Sequence, residues 1–177
     1  MTASNWPYCL QTILGYEGGF VDNPQDQGGA TNLGITLATL QEWRPGSSVS
    51  DLKALTATDD LVQHIYLDGY WDEVQADDLP SGVDLIVFDQ AVNSGPHKAA
   101  QALQRAMRVH ADGIIGPATL AAVAASDALA LVNAISSGRE AFYRSLPTFA
   151  EFGKGWLNRL ADVTAKAQTL ASGELNP

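Results

Sequence analysis

The chain has one cysteine in 177 residues, Cys9. A single thiol excludes an internal disulfide framework and a cysteine-based zinc finger, and alone it reads as a small hydrophobe. Positive charge is scarce as well. Ten Lys and Arg stand against twenty Asp and Glu, a formal charge of −10, so attraction to phosphate backbones or anionic lipid is weak and no nucleic-acid partner is expected. The longest apolar stretch, Leu120 to Ile135, is broken by Ser126, Asp127 and Asn133 and falls short of the ~20 residues of a membrane span, so no stable membrane insertion is expected. The amino terminus lacks the basic and apolar regions of a secretory signal, which implies synthesis in the cytoplasm. Internal repeats, low-complexity tracts and flexible linkers are missing too.

What is there is a globular composition: 46% hydrophobic and 17% charged residues, in a chain long enough to bury ~68–70% of its unfolded surface. Leu10, Ile13, Leu14 and Glu17 fall at i, i+3, i+4 and i+7, so the periodicity predicts a helix whose apolar stripe ends in a carboxylate, stopped by Gly18 and Gly19. From Asp22 to Gly34 the run is turn chemistry throughout and reads as a loop or short hairpin. Helices are predicted over 36–43, 50–55, 58–70 and 83–92, the last nearly continuously apolar and hence buried. Further helices follow over 97–109, 117–125 and 127–146. Pro147 with Gly153 and Gly155 then separates a final helix over 156–170. The pattern is an all-α bundle with one glycine-rich excursion near the front.

On an apolar stripe Glu17 is partly desolvated, which disfavours its charged form and suits a proton donor working near neutrality. The excursion brings Asp22, Asp26 and Thr31 back towards it, and carboxylates across a cleft are the usual equipment for glycoside hydrolysis. The bland alternative for Glu17 is a solvated or salt-bridged group near a helix end. Three competing chemistries fail. Counted from Asp22, a calcium loop would need Gly and Glu where Gln27 and Leu33 stand. His64, His97 and His110 lie far apart with no HExxH, so no metal is expected. There is no G-x-S-x-G elbow, and Cys9 has no nearby base. No cofactor is expected.

The run Glu17-Gly18-Gly19-Phe20, Asp22-Asn23-Pro24 and Gly28-Gly29-Ala30-Thr31-Asn32-Leu33-Gly34-Ile35-Thr36 resembles the front signature of the glycoside hydrolase 108 muramidases, which include phage endolysins and secretion-associated enzymes. The resemblance continues through Tyr66-Leu67-Asp68-Gly69-Tyr70-Trp71, Phe88 to Pro96, Asp112 to Leu120, and Gly155-Trp156-Leu157-Asn158-Arg159. It implies a lysozyme-like fold, α+β with a minimal hairpin, as a helical bundle in two lobes around a cleft. Residues 7–90 would be the catalytic region, and 91–175 a helical peptidoglycan-binding-type region packed on it as one compact unit.

The resemblance further implies cleavage of the β-1,4 bond between N-acetylmuramic acid and N-acetylglucosamine, with Glu17 as catalytic acid and bacterial peptidoglycan as partner. Glu17, Asp26 and Thr31 are similar in order to the Glu, Asp, Thr set of phage-type lysozymes, with the second gap one residue shorter. Asp26 would then stabilise positive charge or orient water, or else cap loop amides; Thr31 would position water or bond loop backbone. Asp22 has the same two readings as Asp26. Tyr70 and Trp71 could offer flat faces to sugar or pack in the core, and Asn93 could reach an N-acetyl group or cap a helix. Asp112, Gly113, Gly116 and Pro117 match the binding-region signature, yet a turn before a helix explains each of them. A lytic transglycosylase and a non-catalytic wall-binding or morphogenetic protein stay open as alternatives. A monomer is the expected state, acting on the wall after assisted release or as part of a particle.

Overall fold

The computed structural model describes residues 5–22 and 29–175. Its order is α1 (Trp6–Leu14), β1 (Thr31–Asn32), β2 (Ile35–Thr36), α2 (Leu37–Trp43), α3 (Val49–Ala54), α4 (Asp60–Tyr66), α5 (Val83–Ser94), α6 (Pro96–Ala106), α7 (Pro117–Ala124), α8 (Ala128–Ser145) and α9 (Phe149–Ala171). A π-helical turn, Leu67–Trp71, follows α4, and a 3₁₀ turn, Ala76–Asp78, precedes α5. The chain packs as two compact units, 7–69 and 70–177 with 1–6.

In the front unit, caps mark where the helices start. Thr36 accepts from the Thr39 amide at 3.1 Å to open α2. Ser48 and Asp51 form a reciprocal capping box at α3, satisfying amides that have no partner inside the helix. The far end of α3 is closed from outside. The buried Asn32 amide of β1 donates to the carbonyls of Leu52 at 2.9 Å and Leu55 at 3.0 Å. One departure from the periodicity concerns α1, which ends at Leu14 rather than at Glu17. Gly15 and Tyr16 continue as a turn, and the Glu17 amide still donates to the Ile13 carbonyl at 3.3 Å. Glu17 therefore keeps its place one turn beyond Ile13 although the regular helix has stopped.

The second unit is built round α5, in which Val83 to Phe88 are all buried, against α6, α8 and α9. Trp71 lies edge-on to Phe88 and to Trp6, with ring centroids 5.3 and 5.4 Å apart. Two buried carboxylates interrupt the apolar run. Asp89 accepts from Arg139 of α8 at 2.7 Å and from Arg159 of α9 at 2.9 Å, which ties three helices at one point. The last helix begins at Phe149, not Trp156, and runs through both glycines. A Cβ at the buried Gly153 would lie 2.5 Å from the Phe149 ring, so this glycine makes room for packing and does not break the helix.

Removing the Asp89 carboxylate leaves a buried guanidinium uncompensated, so Asp89→Ala should lower stability by about 3–5 kcal/mol, read from the urea midpoint. The other buried carboxylate, Asp84, accepts from Asn5 Nδ2, the Gly82 amide and the Leu85 amide, each at 2.7 Å. Burial outweighs those bonds and pushes its carboxyl up to about 6. The folded protein thus holds a proton that the unfolded chain releases near its ordinary value of 3.8. The resulting stability is complete below about pH 4 and lost as pH rises through about 6, on the order of 3 kcal/mol in all. Unfolding of wild type and Asp84→Asn across this range should show the wild type losing that much relative to the variant.

Candidate active site

The turn between β1 and β2 consists of Leu33 and Gly34, at φ 51° and 71°. Positive φ at both central residues matches the twist of a two-residue hairpin, but it strains a leucine. The Leu33 backbone is held from two sides. Its amide donates to the Gly18 carbonyl at 3.1 Å, and its carbonyl accepts from the buried Tyr66 hydroxyl of α4 at 2.8 Å. Beyond it Thr31 and Val21 exchange both backbone hydrogen bonds at 2.8 Å. The segment from Gly18 to Val21 is therefore laid along the hairpin.

This arrangement brings the half-buried Glu17 carboxylate onto Gly34. A Cβ at that position would lie 2.8 Å from Glu17 Oε2 and 2.7 Å from Tyr66 Oη, closer than such atoms approach. Gly34 therefore serves twice, supplying the positive φ and leaving the space that the carboxylate occupies. Glu17, Gly34 and Tyr66 form one cluster in the front unit. A carboxyl resting on a rigid backbone turn near a phenol, half shielded from water, can deliver a proton to a bound oxygen from a fixed position.

Thr31 and Thr36 are opposite each other across the hairpin, and Thr36 spends its hydroxyl on the α2 cap. The half-buried Thr31 makes no side-chain hydrogen bond among the described residues. Asp22 is exposed, next to the Val21–Thr31 pair, and likewise has no partner among them. Asp26 lies outside the described residues.

The remaining sequence candidates belong to the second unit. Tyr70 is half-buried. Trp71 is 1% exposed, so of its two readings the packing role is the one it fills, with no ring face left for a sugar. Asn93 donates back to the Asp89 carbonyl of its own helix at 2.7 Å, the bond of a structural residue near a helix end. Asp112 accepts from the Ile114 amide at 3.0 Å and from the buried Gln104 at 2.7 Å, and these bonds hold its carboxyl below the usual range. That motif is thus a turn clamped by Gln104, whose Oε1 also receives the Gly113 amide at 2.9 Å. Residue patterns assigned no role to Tyr66 or Gly34, although both stand in the front motifs. The signal available for Gly34 was its position after a leucine in a two-residue turn.

The glycosyl hydrolase 108 model matches residues 10–95, which contain this cluster, and the model of a predicted peptidoglycan domain matches 98–161. The structure of SagA from Brucella abortus superposes with a TM-score of 0.83 at 42% sequence identity, covering 94% of this chain and 95% of that one. The chain belongs to the glycosyl hydrolase 108 family. Among curated proteins there is no match. This family 108 protein is a glycoside hydrolase with the mostly helical lysozyme-like fold, and the two domains together make it a peptidoglycan-hydrolysing muramidase. The boundary between the family models, after residue 95, differs from that between the packed units, after residue 69. By sequence α5 belongs with the hydrolase region; by packing it is the centre of the second unit.

In the family 108 enzyme, Gly34→Ala puts a methyl group into the space held by the Glu17 carboxylate and the Tyr66 hydroxyl, at an unfavourable φ. The variant should lose about 1–3 kcal/mol of stability and, where the displaced carboxylate is the catalytic one, roughly a hundredfold in kcat. Thermal unfolding and turnover of purified peptidoglycan measure the two effects separately.

Proposed function

We propose that Glu17 is the general acid of this muramidase and protonates the glycosidic oxygen between N-acetylmuramic acid and N-acetylglucosamine. The observation that carries the reading is the close approach of the Glu17 carboxylate to the Gly34 backbone, which fixes a half-buried proton donor in place. As the bond to the anomeric carbon breaks, the leaving sugar oxygen takes the Glu17 proton and positive charge develops on the muramic ring. Water adds its oxygen to that carbon. The Thr31 hydroxyl, without a partner among the described residues, is assigned to hold this water. The role of taking the proton this water gives up, or of offsetting the ring's charge, is assigned to Asp22 or Asp26, and the returning proton resets Glu17.

Glu17→Gln retains the size of the side chain but removes the acid. Digestion of purified peptidoglycan by this variant should fall at least about a hundredfold with its thermal midpoint nearly unchanged. Mass spectrometry of the soluble products should find reducing muramic acid ends from the wild type. Anhydro ends would instead identify a transglycosylase, and full activity in the variant would remove Glu17 from the role.

A further inference from the structure

The second unit contains a cavity of about 420 Å³ between α5, α6 and α8, a volume typical of small-ligand sites. No residue that lines it belongs to the front unit. Its charge is unusual for this protein. Three of the ten basic residues, Lys98, Arg105 and Arg139, line the cavity, and none of the twenty acidic residues does. Arg139 is committed to Asp89. Lys98 and Arg105 are exposed and form no ion pair among the described residues. They stand with Gln101 on one face of α6, at spacings of three and four residues.

Two further features narrow the ligand. Beside the cations, the polar part of the lining is Gln90, Ser94 and Gln101, all uncharged. Side-chain amides and hydroxyls of this kind pair with peptide groups. The rest of the lining is small or apolar, with Ala102 and Ala106 from α6 and Ala134, Ile135, Gly138 and Phe142 from α8. Such walls admit methyl groups and a close-lying backbone. A ligand with carboxylates, amide N–H groups and small side chains is an acidic, alanine-containing peptide.

We propose that this cavity binds the stem peptide of peptidoglycan, with Lys98 and Arg105 receiving its carboxylates. The assignment rests on peptidoglycan being the substrate and is independent of which group supplies the catalytic proton. It gives a strongly acidic enzyme a local site of attraction for an anionic wall, where long-range steering is repulsive.

The test is calorimetric titration of the full-length protein carrying Glu17→Gln, which excludes turnover. The probes are the free tetrapeptide L-Ala-γ-D-Glu-diaminopimelate-D-Ala, the same peptide with its carboxylates amidated, and the peptide-free disaccharide. Saturable binding of the acid peptide is expected, weakened at least tenfold by amidation and by the pair Lys98→Glu, Arg105→Glu. With Glu17 intact, the pair should raise KM about tenfold on stem-bearing peptidoglycan at unchanged kcat, and leave digestion of peptide-stripped glycan unaltered. Equal binding of acid and amidated peptide, equal binding by the paired variant, or no binding at millimolar peptide would each overturn the proposal. Loss of activity in Glu17→Gln is read in a separate assay, so failure of the peptide site and failure of the acid assignment are distinguishable.

Discussion

The front unit depends on a backbone turn that is unfavourable by itself. Leu33 and Gly34 both adopt positive φ, and the leucine pays for this with strain of about 1–3 kcal/mol. The conformation persists because the Gly18 carbonyl and the Tyr66 hydroxyl hold the Leu33 peptide groups at both ends. Once the turn is fixed, its neighbours have little freedom. Asn32 is directed into the end of α3, Thr31 pairs with Val21, and the Glu17 carboxylate rests on the only residue type without a side chain to exclude it. Strain and the placement of the proposed acid thus come from the same two residues.

The second unit uses a different device. Its central helix is buried on all sides, since Val83 to Phe88 are buried without a break along α5. Asp89 adds a directional contact, because its one carboxylate meets guanidiniums from two other helices. A buried ion pair of this kind adds less net stability than specificity, as the cost of desolvating the charges offsets most of their attraction. The same Arg139 that completes the pairing lines the cavity beside it. Helix register and the shape of that cavity are therefore coupled.

Electrostatics divide the protein by distance. At long range the charge of −10 repels an anionic polymer, though only within about a Debye length, ~8 Å in physiological salt. At contact the few unpaired cations decide, and two of them stand on one face of α6. An enzyme built this way binds through local chemistry and is not steered by its overall field.

Much of this molecule is written in local pattern. Caps at Thr36, Ser48 and Asp127 begin helices as their residue types dictate, the buried character of α5 follows from its near-continuous apolar run, and ordered motifs along the chain carry the family. Local pattern misread the glycines of α9 as a break, although Gly153 accommodates Phe149 inside a continuous helix, and it extended α1 to Glu17, because helical hydrogen bonds at Gly15 and Glu17 outlast the regular helix. It also left Trp71 and Asn93 with open roles that burial and a single hydrogen bond narrowed. The sequence by itself determined the helices, the hairpin, the family and the candidate acid, all properties of neighbouring residues. Only the tertiary structure decided that Glu17 and Tyr66 both close on Gly34, and that Asp89 meets two arginines 50 and 70 positions away. Such meetings depend on distances between segments remote in the chain, which no local spacing encodes.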